Sequence, residues 1–184
     1  SEPIRIQIGG EPSTLDPARV MDQYGFGILR NMMEGLYTLD PDGKLIKGLA
    51  ASSRITDKGL VYHFKLRPDA LWSDGKRVTI EDCIFGLQHA LDPKTASPNA
   101  EYFFAIKGAK EVFSGTKPSS ALGVSRKGNE LIIELERPDP LFLLELTIPS
   151  AAPLRRDVFE ANGGKWDYKF PVTGDYYIKS YRPA

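Results

Sequence analysis

Two stretches of this sequence read as β-hairpins and the segment between them as a capped helix, an order that leaves few folds open. "SSRITDKGLVYHFKLR" turns at Lys58 and Gly59, then sets Tyr62, Phe64 and Leu66 on one side and Val61, His63, Lys65 and Arg67 on the other. One face of that strand can enter a core while the other stays wet. "LGVSRKGNELIIELE" turns again between Lys127 and Asn129. Between the hairpins, Thr79 stands before "IEDCIFGLQHAL" with Asp82 placed to complete a capping box, the pair that occupies the free amides of a helix start. Hairpins pair antiparallel, and strands and helices do not alternate regularly here. The expected class is therefore α+β.

Outside that centre the signals are shorter. "IRIQIGG" at 4–10 places Ile4, Ile6 and Ile8 on one side, a strand pattern stopped by glycines. "YGFGILRNMMEGLY" repeats Ile28, Leu29, Met32, Met33 and Leu36 at helical spacing and is expected to stop at Glu34, Gly35 and Leu36. "DPDG" at 40–43 is a turn. "DPLFLLELTI" reads as a short buried helix or strand, "LRRDVFEANGG" as a helix ending at Gly163 and Gly164, and "GDYYIKSY" as a strand with Tyr176, Ile178 and Ser180 on one face. "LDPKTASPNAEYFF" at 91–104 fits neither state. Pro93 and Pro98 break a helix, yet the polar run ends in Tyr102, Phe103 and Phe104. Its rings can anchor a surface loop to the core.

Composition narrows the chemistry. The chain has 184 residues, 41% of them apolar and 26% charged, enough for a core without covalent staples. Lys plus Arg equals Asp plus Glu at 24 each, so no global field draws it to nucleic acid or an anionic membrane. The one cysteine, Cys83, excludes an internal disulfide and falls in an apolar helix pattern. No apolar run approaches the ~20 residues of a membrane span. The first residues show no export signal, so the protein is either intracellular or lacks a signal removed from this chain. His63 and His89 have no companions at metal-ligand spacing, and "DPDGKL" is not a calcium loop. There is no nucleophile elbow and no phosphate-cradling glycine loop. A catalytic residue, a metal and a cofactor are all absent from the expected site.

Four stretches, in order, carry a resemblance: "EPSTLDPARVMD", "MMEGLYTLDPDGKLIKGLA", "VYHFKLRPDALWSDGKRVTIEDCIFGLQHALDPKTASP" and "PVTGDYYIKSY". They resemble the family 5 extracellular solute-binding proteins, which include the oligopeptide-binding components of ABC importers. The resemblance implies a periplasmic-binding-protein type II-like fold whose lobes close on an extended peptide held by its main chain. It implies that 1–40 and 165–184 are parts of a discontinuous first lobe, that 41–164 is an inserted α+β subdomain, and that the second lobe is absent. The ligand-facing residues carried over are Met21, Asp22 and Gln23, after Leu15-Asp16-Pro17, and Asn99, after Thr95-Ala96-Ser97-Pro98. Some members have a tyrosine where this chain has Asn99, and Asp175 stands where proline or alanine is common. The implied partners are an oligopeptide and the membrane permease, and the implied place is the periplasm or outer face of the cytoplasmic membrane. The implied state is a monomer without nucleic acid. The identity of the solute stays open. A free-standing protein-interaction module is the alternative, and a hydrolase a weaker third.

Overall fold

A computed structural model describes residues 3–182. In chain order they form α1 (Gln23–Met32), β1 (Tyr37–Leu39), β2 (Leu45–Lys47), β3 (Ala50–Thr56), β4 (Val61–Leu66), α2 (Ile80–Leu91), α3 (Ala109–Phe113), β5 (Val124–Lys127), β6 (Glu130–Glu134), α4 (Phe142–Glu145) and α5 (Arg156–Ala161). The two expected hairpins are β3–β4 and β5–β6, and they join through β4 and β6 into one antiparallel sheet of order β3-β4-β6-β5. The 40–43 turn closes a third hairpin, β1–β2, that its single signal did not announce. Its Asp40 carboxylate accepts from the Asp42 and Lys44 amides, at 3.0 and 2.8 Å.

Register explains the core. Tyr62 lies opposite Ile133 and Phe64 opposite Leu131, so alternation delivers four large side chains to one face of the sheet. There they pack with Leu87 and Leu91 of α2 and with Trp72, Phe103 and Phe142 in one continuous cluster. The helix start is fixed twice by one carboxylate. Asp82 accepts from Thr79 N at 2.9 Å in a complete capping box, and it also accepts from the Trp72 indole at 3.1 Å. Of the rings closing the 91–104 stretch, Phe103 is wholly buried, Phe104 leans on Phe113, and Tyr102 stays exposed. Phe103 thus carries the anchor.

A second, smaller core gathers Val20, Leu29, Met32, Met33, Ala152 and Val172, with Trp166 and Ile178 against it. It joins α1 to the end of the described chain. The amides of Gly174 and Tyr176 donate to Met32 O and Asn31 O, at 2.7 and 3.1 Å, and so occupy carbonyls that the last turn of α1 cannot pair itself. Thr173 Oγ1 both accepts from Glu34 N and donates to Glu34 O, at 2.9 and 3.0 Å.

Three local expectations are corrected. Residues 3–8 form no strand, with Ile4 and Ile6 67% and 79% exposed, because no strand lies beside them among the described residues and alternation without a ladder does not hold a strand. The 174–181 stretch is irregular for the same reason, and Tyr176 and Tyr177 point largely to solvent. α1 ends at Met32, before Gly35. Gly35 serves a close approach instead, since a Cβ there would sit 2.6 Å from Leu146 O.

Candidate functional site

The carried-over residues fall on the turn entering α1 and on the loop after α2. Asp16 starts the turn: its carboxylate accepts from Ala18 N at 2.9 Å, and its carbonyl accepts from the amides of Arg19 and Val20, both at 3.0 Å. Met21 follows, 69% exposed. Asp22 is the N-cap of α1, accepting from Gly25 N at 2.8 Å, and it also takes the Ser13 amide and hydroxyl at 2.9 and 2.6 Å. The Ser13 hydroxyl, then the Gly25 amide, hold its carboxyl down at about 2. Gln23 opens the helix with an exposed side chain. Gly25 permits this tight entry, because a Cβ would lie 2.5 Å from Val20 Cγ2 and 3.0 Å from Thr14 O.

Asn99 is close to this turn in space but only 6% exposed. Its Nδ2 donates to Val20 O at 2.8 Å and to Ser150 Oγ at 3.1 Å. Ser150 in turn donates to Pro17 O at 2.8 Å, and Ser97 donates to Ala18 O. Arg19 reaches back from the turn to Thr95 O at 2.9 Å. The structure therefore brings Asn99 to the base of the turn, with Met21 and Gln23 on its outer surface and Asp22 committed to capping. Ser97 and Ser150 were missed by sequence reasoning. Ser150 is 133 positions from Pro17, and no local spacing announces a contact of that range.

Two spaces lie nearby. A void of about 10 Å³ sits among Asp16, His89, Ser150 and Trp166, and a recess of about 280 Å³ opens between Thr14, Leu15, Asp16, Trp166, Tyr168 and Tyr181. Met21, Asp22 and Gln23 line neither. His89 braces the loop, its Nδ1 3.2 Å from Thr95 Oγ1 and its ring edge-on to Phe159 at 4.7 Å. Among the described residues no group of three or more His, Cys, Asp or Glu could hold a metal, and no helix is long and apolar enough to cross a membrane.

Known proteins of the same build exist. The chain is 36% identical over 178 residues to the periplasmic oligopeptide-binding protein OppA of Escherichia coli K12, covering 94% of this chain and 33% of OppA. It is 35% identical over 159 residues to the probable deoxycholate-binding periplasmic protein YgiS of the same organism, covering 85% of this chain and 30% of YgiS. Among solved structures, Haemophilus influenzae OppA in complex with the peptide RPPGFSPFR superposes with a TM-score of 0.89 at 30% identity, over 95% of this chain and 35% of that one. The chain thus spans about a third of the length of the relatives it matches. The model of the bacterial extracellular solute-binding proteins, family 5 middle region, matches residues 44–184. The chain belongs to the family 5 bacterial extracellular solute-binding proteins.

Proposed function

We propose that this chain is part of the extracytoplasmic solute-binding component of an ABC importer, binding oligopeptides in an extended form and passing them to a membrane permease. The observation that carries the reading is the match over nearly the whole chain to a relative solved with a peptide bound. Met21, Asp22 and Gln23 form the ligand-facing turn, and Asn99 borders it. In this reading 1–40 and 165–184 belong to one lobe and 41–164 is inserted into it; α1 packs on Val172, Trp166 and Ile178, while Leu36 and Tyr37 join the sheet core and Ala152 joins the α1 core, so the two parts are in close contact. The remaining wall of the cleft belongs to a second lobe. Such a component works as a monomer outside the cytoplasmic membrane, without catalysis or cofactor.

A complete cleft with micromolar affinity supplies about 8 kcal/mol, and half of that leaves about 4, a millimolar constant. The test is a titration of the 184-residue chain, followed by amide NMR, with RPPGFSPFR and separately with deoxycholate. Millimolar binding of the peptide with shifts centred on Met21 and Gln23 is expected. No peptide-dependent shift, or shifts from deoxycholate alone at those residues, would refute the peptide reading.

A further inference from the structure

The turn before Met21 is poorly defined by its own bonds. Its internal hydrogen bonds all end on Asp16, two on the carbonyl and one on the carboxylate, which leaves the carbonyls of Pro17, Ala18 and Val20 to find donors elsewhere. Each finds a side chain from a distant part of the chain: Ser150 Oγ for Pro17, Ser97 Oγ for Ala18, and Asn99 Nδ2 for Val20. All three donors are buried.

Their bonds are also mutually consistent. Each serine hydroxyl has one proton and gives it to a carbonyl, and each then accepts from Asn99: Ser97 Oγ from the backbone amide at 3.2 Å, Ser150 Oγ from Nδ2 at 3.1 Å. Asn99 Nδ2 has two protons, and both are used, one on Val20 O and one on Ser150 Oγ. Flipping the amide would set Oδ1 against a carbonyl oxygen, so the donor pattern fixes the side chain in one orientation. A donor committed in this way cannot also be offered to a solute.

We infer that Ser97, Asn99 and Ser150 form a carbonyl clamp that sets the backbone direction at Val20 and thereby presents the main chain of Met21 to Gln23, with Asn99 a positioning residue and not a solute contact. The inference rests on the reading of 21–23 as the solute-facing turn. It assigns discrimination at this spot to the main chain of the turn.

The test uses Asn99→Asp, which keeps the size but removes both donors, and the milder Ser150→Ala. In the ligand-free chain, the amides of Val20 and Gly25 flank the segment, through bonds to Asp16 O and Asp22 Oδ1. Their hydrogen exchange is expected to quicken about tenfold in Asn99→Asp, with shifts at Met21 to Gln23 and with the amides of β4 and β6 exchanging as before. Ser150→Ala is expected to give a smaller change of the same pattern. A folded variant with unchanged exchange at Val20 and Gly25 would overturn the clamp. With RPPGFSPFR added, binding is expected to weaken in step with the loosening of the turn. Weaker binding with an undisturbed turn would make Asn99 a direct contact and overturn the proposal. If the unsubstituted chain does not bind the peptide, the solute reading fails by itself, while the ligand-free measurements decide the clamp.

Discussion

One substitution made at two glycines should move stability in opposite directions. Gly86 lies inside α2 where the helix crosses the 149–153 segment, and a Cβ there would be 2.2 Å from Ala152 O, 3.1 Å from Ala152 C and 3.2 Å from Pro153 Cα. These are backbone atoms, so no rotamer change relieves the clash. Gly86→Ala gains about 1 kcal/mol of helix propensity. Against that stand about 1–3 kcal/mol for overpacking and about 1 kcal/mol for the bond from Leu154 N to Asp82 O, 3.1 Å long, which a retreating segment strains. The net is a loss of about 2 kcal/mol, or a melting temperature about 4–8 °C lower for a chain of this size. Gly27, in α1, has nothing within 4 Å of its virtual Cβ, so Gly27→Ala should raise the melting temperature by about 2–4 °C. Thermal unfolding followed by circular dichroism reads both. A Gly86→Ala chain that melts at or above the unsubstituted protein would show that α2 does not contact this segment as described.

Thr79→Ala removes the hydroxyl that accepts from Asp82 N at 3.1 Å and should cost about 1 kcal/mol in urea unfolding; no change would mean that the capping box contributes nothing. Asp22 has a folded-state value near 2, below its usual 3.8, so its contribution is complete above the usual value and disappears as pH falls through the folded one. Asp22→Asn should flatten the acid limb of a melting-temperature profile in that interval, and an unchanged limb would contradict the capping role. Glu145 behaves oppositely: burial, then the nearby Asp139, raises its carboxyl from 4.5 to about 7, and Oε2 has no hydrogen-bond partner. Stability from its neutral form is present below the usual value and lost as pH rises through the folded one. Glu145→Gln should therefore be more stable than the unsubstituted chain in mildly alkaline urea titrations and lose that advantage near pH 4. Equal midpoints at alkaline pH would show that Glu145 ionises without cost.

The elements legible in the sequence are those whose cause is local. The turns at 57–59 and 127–129, the Thr79–Asp82 pair and the alternation of β4 all involve residues a few positions apart, and each forms where its signal lies. The same alternation at 4–8 and 174–181 predicts strands that do not form, because a strand also needs a neighbour to bond, which its own side chains do not supply. The site divides in the same way. The capping bond of Asp22 spans only three positions, yet the residue is named through the resemblance and not as a cap; the resemblance alone also singles out Asn99 and does not say which way its amide points.

That division bears on how a surface turn can recognise anything. Met21 and Gln23 have exposed side chains and line neither of the two nearby spaces, so their geometry must be imposed from behind. On one side, the 95–99 loop and Ser150 take the carbonyls of the turn. On the other, Gly174 and Tyr176 take the last carbonyls of α1, and Val172 and Ile178 pack beside that helix. Three stretches far apart in sequence thus converge on one short backbone segment. Holding it in place before any solute arrives lowers the entropy that binding must overcome, and a main-chain grip needs that order more than a side-chain grip does, since an amide or carbonyl has no rotamer with which to adjust.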